Sequence, residues 1–364
     1  MPVSRRDAEG LAAQVSSMYA DAEVRLLALI GKHLAAGHDA PGWAEAKLAE
    51  LQMLRRRADA IMAQTTTAAV AATAAAVHTA YLRGAAAAED DLRKLGKDTA
   101  GVRPRQAERA TLALARALQD TLHGFPFPVV RQVADAYRDA VARAVSGTLT
   151  GASTRLQDAQ VALDDLARRG LSGFTDTAGR RWSLQSYVEM ATRSATAQAA
   201  VLGHLDRLED AGINLFVVSD SPRECSRCQP WEGRILSRGP VAVLQRNVLT
   251  GAMERIDVDG TVEQATSAGL FHPNCTHSLS GFLPGATPLG RGTADPRGYA
   301  AQQEQRRLER GVREWKRREA VALTPEAQLL ARVKVRQWQG RVREHVAAND
   351  LPRKRNRESL TAAR

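Results

Sequence analysis

The sequence predicts an α+β fold, mostly α: a long helical N-terminal region, a small β-containing module and basic C-terminal helices. Three observations carry this. Aromatic residues make up only 4% of the chain, while alanine and leucine fill long stretches. That composition suits closely packed helices better than sheets, whose strands favour aromatic and β-branched side chains. Apolar residues recur at helical spacing over most of the first 170 positions and again after 299. Between those regions, all three cysteines of the 364-residue chain and two of its eight histidines fall within 219–284. The resulting division is a helical region at 1–170, an α+β module at 171–285, a linker at 286–298 and a basic helical arm at 299–364.

Taken in order, residues 8–36 read as a helix on the spacing of Leu11, Val15, Met18, Val24, Leu27 and Ile30, weakened at its end by Gly31 and Gly37. Pro41 restarts the chain, and Trp43, Leu48, Leu51 and Leu54 lie along a second helical pattern. The alanine-rich stretch 58–88 has strong helix propensity but a weak apolar stripe, so it is expected to pack against several neighbours. After a break at 96–104 a helix runs to His123, and Phe125-Pro126-Phe127-Pro128 reads as a stiff connector. Val130, Val133, Tyr137, Val141, Val145 and Leu149 mark the next helical face, and a further helix at 153–169 ends at Gly170.

The module begins with turn chemistry at 176–179 flanked by Phe174 and Trp182, which predicts a short hairpin. Ser186 and Glu189 offer a capping box for a helix that stops near Gly212. Strands are expected at 213–218, 234–236 and 256–258, with turns at Gly251 and Gly260. Two basic helices then fill 299–322 and 325–348; Thr324 and Pro325 give the second a clear start. From Leu351 onward the chain is basic and expected to be disordered.

The cysteine stretch carries the chemistry. Cys225 and Cys228 are separated by two residues, and a distant Cys275 is followed two positions later by His277. This is the ligand arithmetic of a four-coordinate zinc site. A two-residue gap lets one tight turn aim both thiolates at a single ion; Cys275 and His277 leave the same face of an extended segment. Arg223, Arg227 and Arg234 lie near in sequence and favour thiolate forms. The ligands read first are Cys225, Cys228, Cys275 and His277, with His272 the rival for the fourth position. A disulfide framework fits less well, since three cysteines leave one over. Glu224 and Glu232 lie close enough to serve a catalytic metal but read as solvated surface charges.

The formal charge of +11 is unevenly placed: residues 301–364 hold 17 Lys/Arg against 8 Asp/Glu, and the preceding 300 hold 34 against 32. Such an arm suits nucleic acid or an acidic protein surface, or is simply a solvated helix face with a tail. The first ten residues are polar and charged, so no signal peptide is expected. The least polar run, 68–77, is interrupted by threonine and reads as too short to span a bilayer, so no membrane partner is expected. Phosphate loops, His-Glu-x2-His and Gly-x-Ser-x-Gly are absent from the sequence.

Three stretches in this order resemble the phage minor capsid proteins related to the F-like head-morphogenesis proteins of Mu-type phages. They are Gly179-Arg180-Arg181-Trp182-Ser183-Leu184 with Tyr187-Val188-Glu189-Met190; Cys225-x2-Cys228-x-Pro230-Trp231-x-Gly233; and His272-Pro273-Asn274-Cys275-Thr276-His277-Ser278 with Pro284-Gly285. The basic run Gln305-Arg306-Arg307-Leu308-Glu309-Arg310 is similar in character. Relatives of this kind often carry cysteine where His277 stands, which implies that His277, rather than His272, completes the ligand set. The resemblance implies a structural protein of the virion, present in several copies with portal and inner capsid, acting in head assembly or genome packaging and delivery. Its partners would be the portal or major capsid protein, with DNA or scaffold against the basic arm; before assembly it would lie in the host cytoplasm.

Two other readings compete. A zinc-dependent nucleic-acid enzyme would be a deaminase or a His-Asn-His nuclease. The first lacks His-x-Glu ahead of its cysteine pair; the second would use His272 or His277 beside Asn274. A free-standing DNA-binding zinc protein needs a basic recognition helix beside the cysteines, and none is apparent in the sequence. The expectation is a protein with no catalytic residues.

Overall fold

The computed structural model describes residues 6–94, 96, 107–149, 151, 153–171, 174–175, 179, 181–221, 223–239, 242–272, 275, 277–289 and 295–360. Helices α1 (Arg6–Ala35), α2 (Trp43–Ala49), α3 (Leu51–Lys94), α4 (Ala107–His123), α5 (Pro126–Leu149) and α6 (Arg155–Arg169) come first. A two-strand ladder, β1 (Phe174–Thr175) and β2 (Arg181–Trp182), precedes α7 (Leu184–Asp210). Then follow β3 (Leu215–Val218), β4 (Ile235–Ser237), β5 (Ala242–Arg246), β6 (Met253–Asp257), β7 (Gly260–Thr261), α8 (Val262–Ser267) and β8 (Leu279–Gly281). Two long helices close the chain, α9 (Pro296–Ala320) and α10 (Pro325–Ala348). The fold is mostly helical with small sheets, the class the sequence predicts.

The chain divides into two compact units built from interleaved segments: residues 1–12, 72–118 and 190–302 in the first, and 13–71, 119–189 and 303–364 in the second. Helices α1, α3, α4, α7 and α9 contribute residues to both.

Several elements differ from the sequence reading for identifiable reasons. The pattern from Trp43 onward is two helices: Glu50 separates α2 from α3, and its carboxylate bonds to His33 Nδ1 at 2.9 Å and accepts from Lys47 Nζ at 3.4 Å. The Phe-Pro-Phe-Pro run is not a connector but the start of α5, where prolines need no donor partner in the first turn. Ser186 lies inside α7 rather than at its cap. Ser183 stands one turn earlier and its Oγ accepts from Ser186 N at 3.4 Å, so the cap falls there. For α6 the expected start shifts to Thr154, which forms a reciprocal capping box with Gln157. Residues 176–178 of the expected turn lie outside the described residues, but Phe174 pairs with Trp182 as the hairpin requires.

Among the described residues α3 is long and apolar enough, by length and composition, to cross a bilayer. The run 68–77 is only part of that helix, so the apolar window is longer than the run taken alone. Each half of the helix nonetheless buries a stripe within its own unit: Leu54, Ala58, Met62 and Ala69 in the second unit, Val77, Ala80, Tyr81 and Ala88 in the first.

In the second unit a rare resource is concentrated. Tyr19, Phe125, Tyr187 and Trp182 meet edge to face in a chain, with centroids 6.0, 5.6 and 6.0 Å apart. Beside them lies a buried ion pair. Glu23 is fully buried; its Oε1 accepts from Leu171 N at 2.6 Å, and Arg317 Nη1 lies 3.7 Å from its Oε2. Arg317 Nε also donates to Ala167 O at 2.9 Å, so one guanidinium ties α9 to α1 and to the end of α6. Thr324 caps α10 by accepting from Ala327 N, and Val342 of α10 packs on Leu308 and Val312 of α9. The segment after α10 folds back: Gln305 donates to Pro352 O at 3.0 Å, Arg313 to Arg357 O at 2.6 Å, and buried Glu358 holds Arg353 at 2.7 Å.

In the first unit α3 and α7 cross closely enough to require glycine at both contact points. A Cβ at Gly84 would strike the carbonyl of Ala200, and one at Gly203 the carbonyl of Tyr81. After the crossing α7 ends at Gly212, with φ of 79°, and feeds β3. The main sheet has the order β7-β4-β3-β8; β3 is antiparallel to both neighbours and β4 is parallel to β7. Between β4 and β7 the hairpin β5–β6 turns at Gly251. Phe216, Val218, Leu236, Leu270 and Leu279 form the core of this sheet together with Leu205 and Leu208 of α7.

Replacing Arg317 by Met removes the charge opposite Glu23 while keeping much of the volume. The expected loss is about 3–5 kcal/mol of unfolding free energy, because a buried carboxylate is left uncompensated. Urea denaturation checks it, and a change below about 1 kcal/mol would show that the pair does not anchor α9.

Candidate metal centre

The sheet explains why the two halves of the cysteine motif meet. Strand β3 leads into Cys225, and Cys275 with His277 leads into β8. Because β3 and β8 pair antiparallel, Val218 opposite Leu279, the end of one segment lies beside the start of the other. Ser219 N donates to Ser278 O at 2.9 Å, and Ser278 N to Ser219 Oγ at 3.0 Å, extending the ladder toward the cysteines.

Backbone hydrogen bonds then draw each segment in. Cys228 N and Gln229 N both donate to Cys225 O, at 3.1 and 3.0 Å, so the two-residue gap closes as the spacing requires. On the other side Cys275 N donates to His272 O at 2.9 Å. Phe271, just before it, is buried with φ of 60°, an uncommon conformation for a bulky side chain. Backbone strain of this kind is sustained only where packing over-determines it.

The result is a cluster of donors. Cys228 and Cys275 sulfurs stand 3.5 Å apart, Cys275 Sγ is 3.3 Å from His277 Nδ1, and Cys225 Sγ is 2.9 Å from His272 Nε2. All three cysteines are free thiols. Two overlapping groups have ligand atoms close enough to share an ion: Cys225, Cys228 and His272, and Cys228, Cys275 and His277. Cys228 belongs to both. The structure therefore brings together all four residues favoured by the sequence and their rival as well.

Burial divides them. Cys228 is 0% exposed, Cys275 4% and His277 1%, whereas Cys225 and His272 are partly exposed. Behind His277 lies a residue that the sequence reading set aside. Glu232 Oε1 is 2.6 Å from His277 Nε2 and accepts from Ser221 N at 3.1 Å, with its side chain only 2% exposed. Its Oε2 has no hydrogen-bond partner among the described residues. Glu224 is also buried, its Oε1 accepting from Asp295 N at 2.8 Å. Neither glutamate is the solvated charge expected of it. In sequence nothing separates Glu232 from a turn residue except its place four positions after Cys228.

The electrostatics favour a cation. The hydrogen bond with Cys275, burial, and the neighbouring Cys225 together push the Cys228 thiol far above its usual range. Burial lowers the proton affinity of His277, but the contacts with Cys275 and Glu232 outweigh it and leave it raised. Burial likewise holds the Glu232 carboxyl up, only partly offset by His277. A proton on His277 Nε2 satisfies Glu232 and leaves the Nδ1 lone pair facing Cys275, the arrangement that a ligating imidazole with an outer carboxylate adopts. Packed thiols resist ionisation while no positive charge lies among them, and a bound divalent ion reverses that preference. The donor set fits a tetrahedral ion: sulfurs bound at ~2.3 Å would stand roughly 3.7 Å apart. Of the arginines expected to assist, Arg234 instead binds Asp259 at 2.8 Å, and Arg227 lays its stem against Gly269. Asn274, needed by the nuclease reading, lies outside the described residues, and both histidines face cysteine sulfur.

Comparison with known proteins decides the family. Residues 4–347 match the model of phage minor capsid protein 2. The chain belongs to that family. It is thus a phage minor capsid protein, a structural protein of the virion. A structural protein of Lactococcus phage LL-H is 25% identical over 237 residues, an alignment covering 63% of this chain. This capsid protein spans 62% of the length of that relative. No solved structure matches it.

Exposure predicts the order of thiol reactivity. In folded, chelator-treated protein a maleimide should modify Cys225 first, and Cys228 and Cys275 only after denaturation. Peptide mapping by mass spectrometry reads this, and early labelling of Cys228 would contradict the packing.

Proposed function

We propose that this minor capsid protein is an inert building component of the phage head, seated with the portal or inner capsid, whose first unit is held together by one structural zinc ion. The ligands in this reading are Cys225, Cys228, Cys275 and His277. The observation that carries it is the pairing of buried His277 with buried Glu232, since a closed site with an oriented imidazole suits a structural metal. Three sulfurs and one nitrogen suit zinc among the common divalent ions. His272, against the more exposed Cys225, then lies outside the ligand set. The ion would offset the chain entropy of holding Cys228 beside Cys275 across a separation of 47 positions. Nothing in this arrangement needs a bond made or broken.

The basic residues after 301 support a contact with DNA or an acidic scaffold, but not as a free arm. Arg313 and Arg317 are buried in the second unit, whereas Arg336, Arg341 and Arg343 of α10 remain exposed. Phosphate contact by such exposed arginines weakens steeply with salt.

Elemental analysis tests the core of the proposal. Purified protein is expected to carry about one zinc per chain, with Cys225→Ser and His277→Ala losing metal and melting temperature in parallel and His272→Ala keeping both. A well-folded preparation without metal, or His272→Ala losing zinc while His277→Ala retains it, overturns the assignment. Cross-linking mass spectrometry of intact particles tests placement: links to portal or major capsid subunits support it, and links confined to tail proteins refute it.

A further inference from the structure

Helix α10 has two unlike sides. Ala331, Val335 and Val342 are buried, and Val342 packs on α9. On the opposite side Glu326, Leu329, Val333 and Arg336 follow at intervals of three, four and three residues, which sets them in one stripe along the helix. Leu329 is 65% exposed and Val333 41%, and adjacent Leu330 is 55% exposed. Glu326 and Arg336 are exposed at the two ends of the stripe. Single exposed aliphatic residues need no explanation. Two of these, Leu329 and Val333, lie on the stripe, and with the opposite charges that bracket them they form a pattern that reads as its own complement when reversed.

We propose that this face of α10 pairs antiparallel with the same face of a second copy of the chain, about a two-fold axis. In that register Leu329 of one copy meets Val333 of the other, and Glu326 meets Arg336; symmetry makes each contact twice. A parallel pairing would set Glu326 against Glu326 and Arg336 against Arg336, so the charges select the antiparallel arrangement. Leu330 adds apolar surface at the margin of the stripe. The face is small: three aliphatic side chains fall well short of the ~800 Å² per partner that stable interfaces bury. Pairing in dilute solution is therefore weak. It becomes strong where several copies are tethered in a shell, because tethering raises effective concentration without any new contact. The inference is independent of the metal, since α10 belongs to the second unit and the cysteines to the first.

Sedimentation velocity of the full-length protein, over a concentration series reaching hundreds of micromolar at low salt, tests it. The wild-type chain is expected to shift toward a dimer as concentration rises, and less so when salt screens the charge pairs. Leu329→Asp should weaken association by about tenfold or more while the melting curve stays nearly unchanged, because Leu329 is 65% exposed and adds little to the core of its own unit. Glu326→Arg alone should also weaken it, by setting arginine opposite arginine. The double variant Glu326→Arg/Arg336→Glu restores the opposed charges and should recover the wild-type association. A wild-type chain that stays monomeric throughout overturns the proposal. So does a Leu329→Asp dimer of undiminished affinity, or a double variant no better than the single one, since either places the contact elsewhere.

Discussion

Two segments that stand 47 positions apart must be held with their sulfurs 3.5 Å from one another, and the first unit is arranged around that requirement. Antiparallel pairing of β3 with β8 supplies the alignment. The turn at Cys225–Cys228 and the hydrogen bond from Cys275 N to His272 O supply the aim. The intervening stretch is not slack, for it adds β4, the β5–β6 hairpin, β7 and the capped α8. Buried sulfurs packed this tightly are electrostatically awkward by themselves, and the raised Cys228 thiol shows it. An imidazole steadied by a buried carboxylate beside them gives the cluster the character of an anchoring point.

The second unit solves a different problem with similar economy. Alanine-rich helices approach closely but bury little area per residue, so a few larger groups must fix their positions. The edge-to-face chain through Tyr19, Phe125, Tyr187 and Trp182 does this by shape. The Glu23–Arg317 pair does it by charge, while Glu23 Oε1 accepts from Leu171 N and Arg317 Nε donates to Ala167 O. Two of these aromatic residues, Trp182 and Tyr187, belong to the stretch through which the sequence resembles its family. Their part in the structure is packing, in keeping with a virion component.

Much of this was legible beforehand where the signal is local. The Thr324-Pro325 start of α10, the end of α7 near Gly212, the Phe174–Trp182 hairpin and the strand before Cys225 all follow from caps, turns and periodicity. The errors were also local in kind. Proline fits a connector as well as the first turn of α5, and serine fits the cap at Ser183 as well as the helix interior at Ser186, so residue type does not separate them. Strand β5 shows no period in the sequence, being too mixed in polarity, and the two-residue strand β7 lies where Gly260 reads as a turn. Glu224 and Glu232 differ from the solvated charges expected of them for another reason: burial of a charge depends on what folds over it.

The mostly helical class, the family resemblance and five candidate donors are carried by the sequence, since these rest on composition, spacing and residue chemistry. Tertiary structure alone decided which donors are buried, that Glu232 backs His277, and that two of the C-terminal arginines point inward to a carboxylate and to backbone carbonyls. The reason is physical. Spacing along the chain constrains neighbours within a few residues, whereas burial, ion pairing and proton affinity are set by groups that arrive from remote parts of the chain.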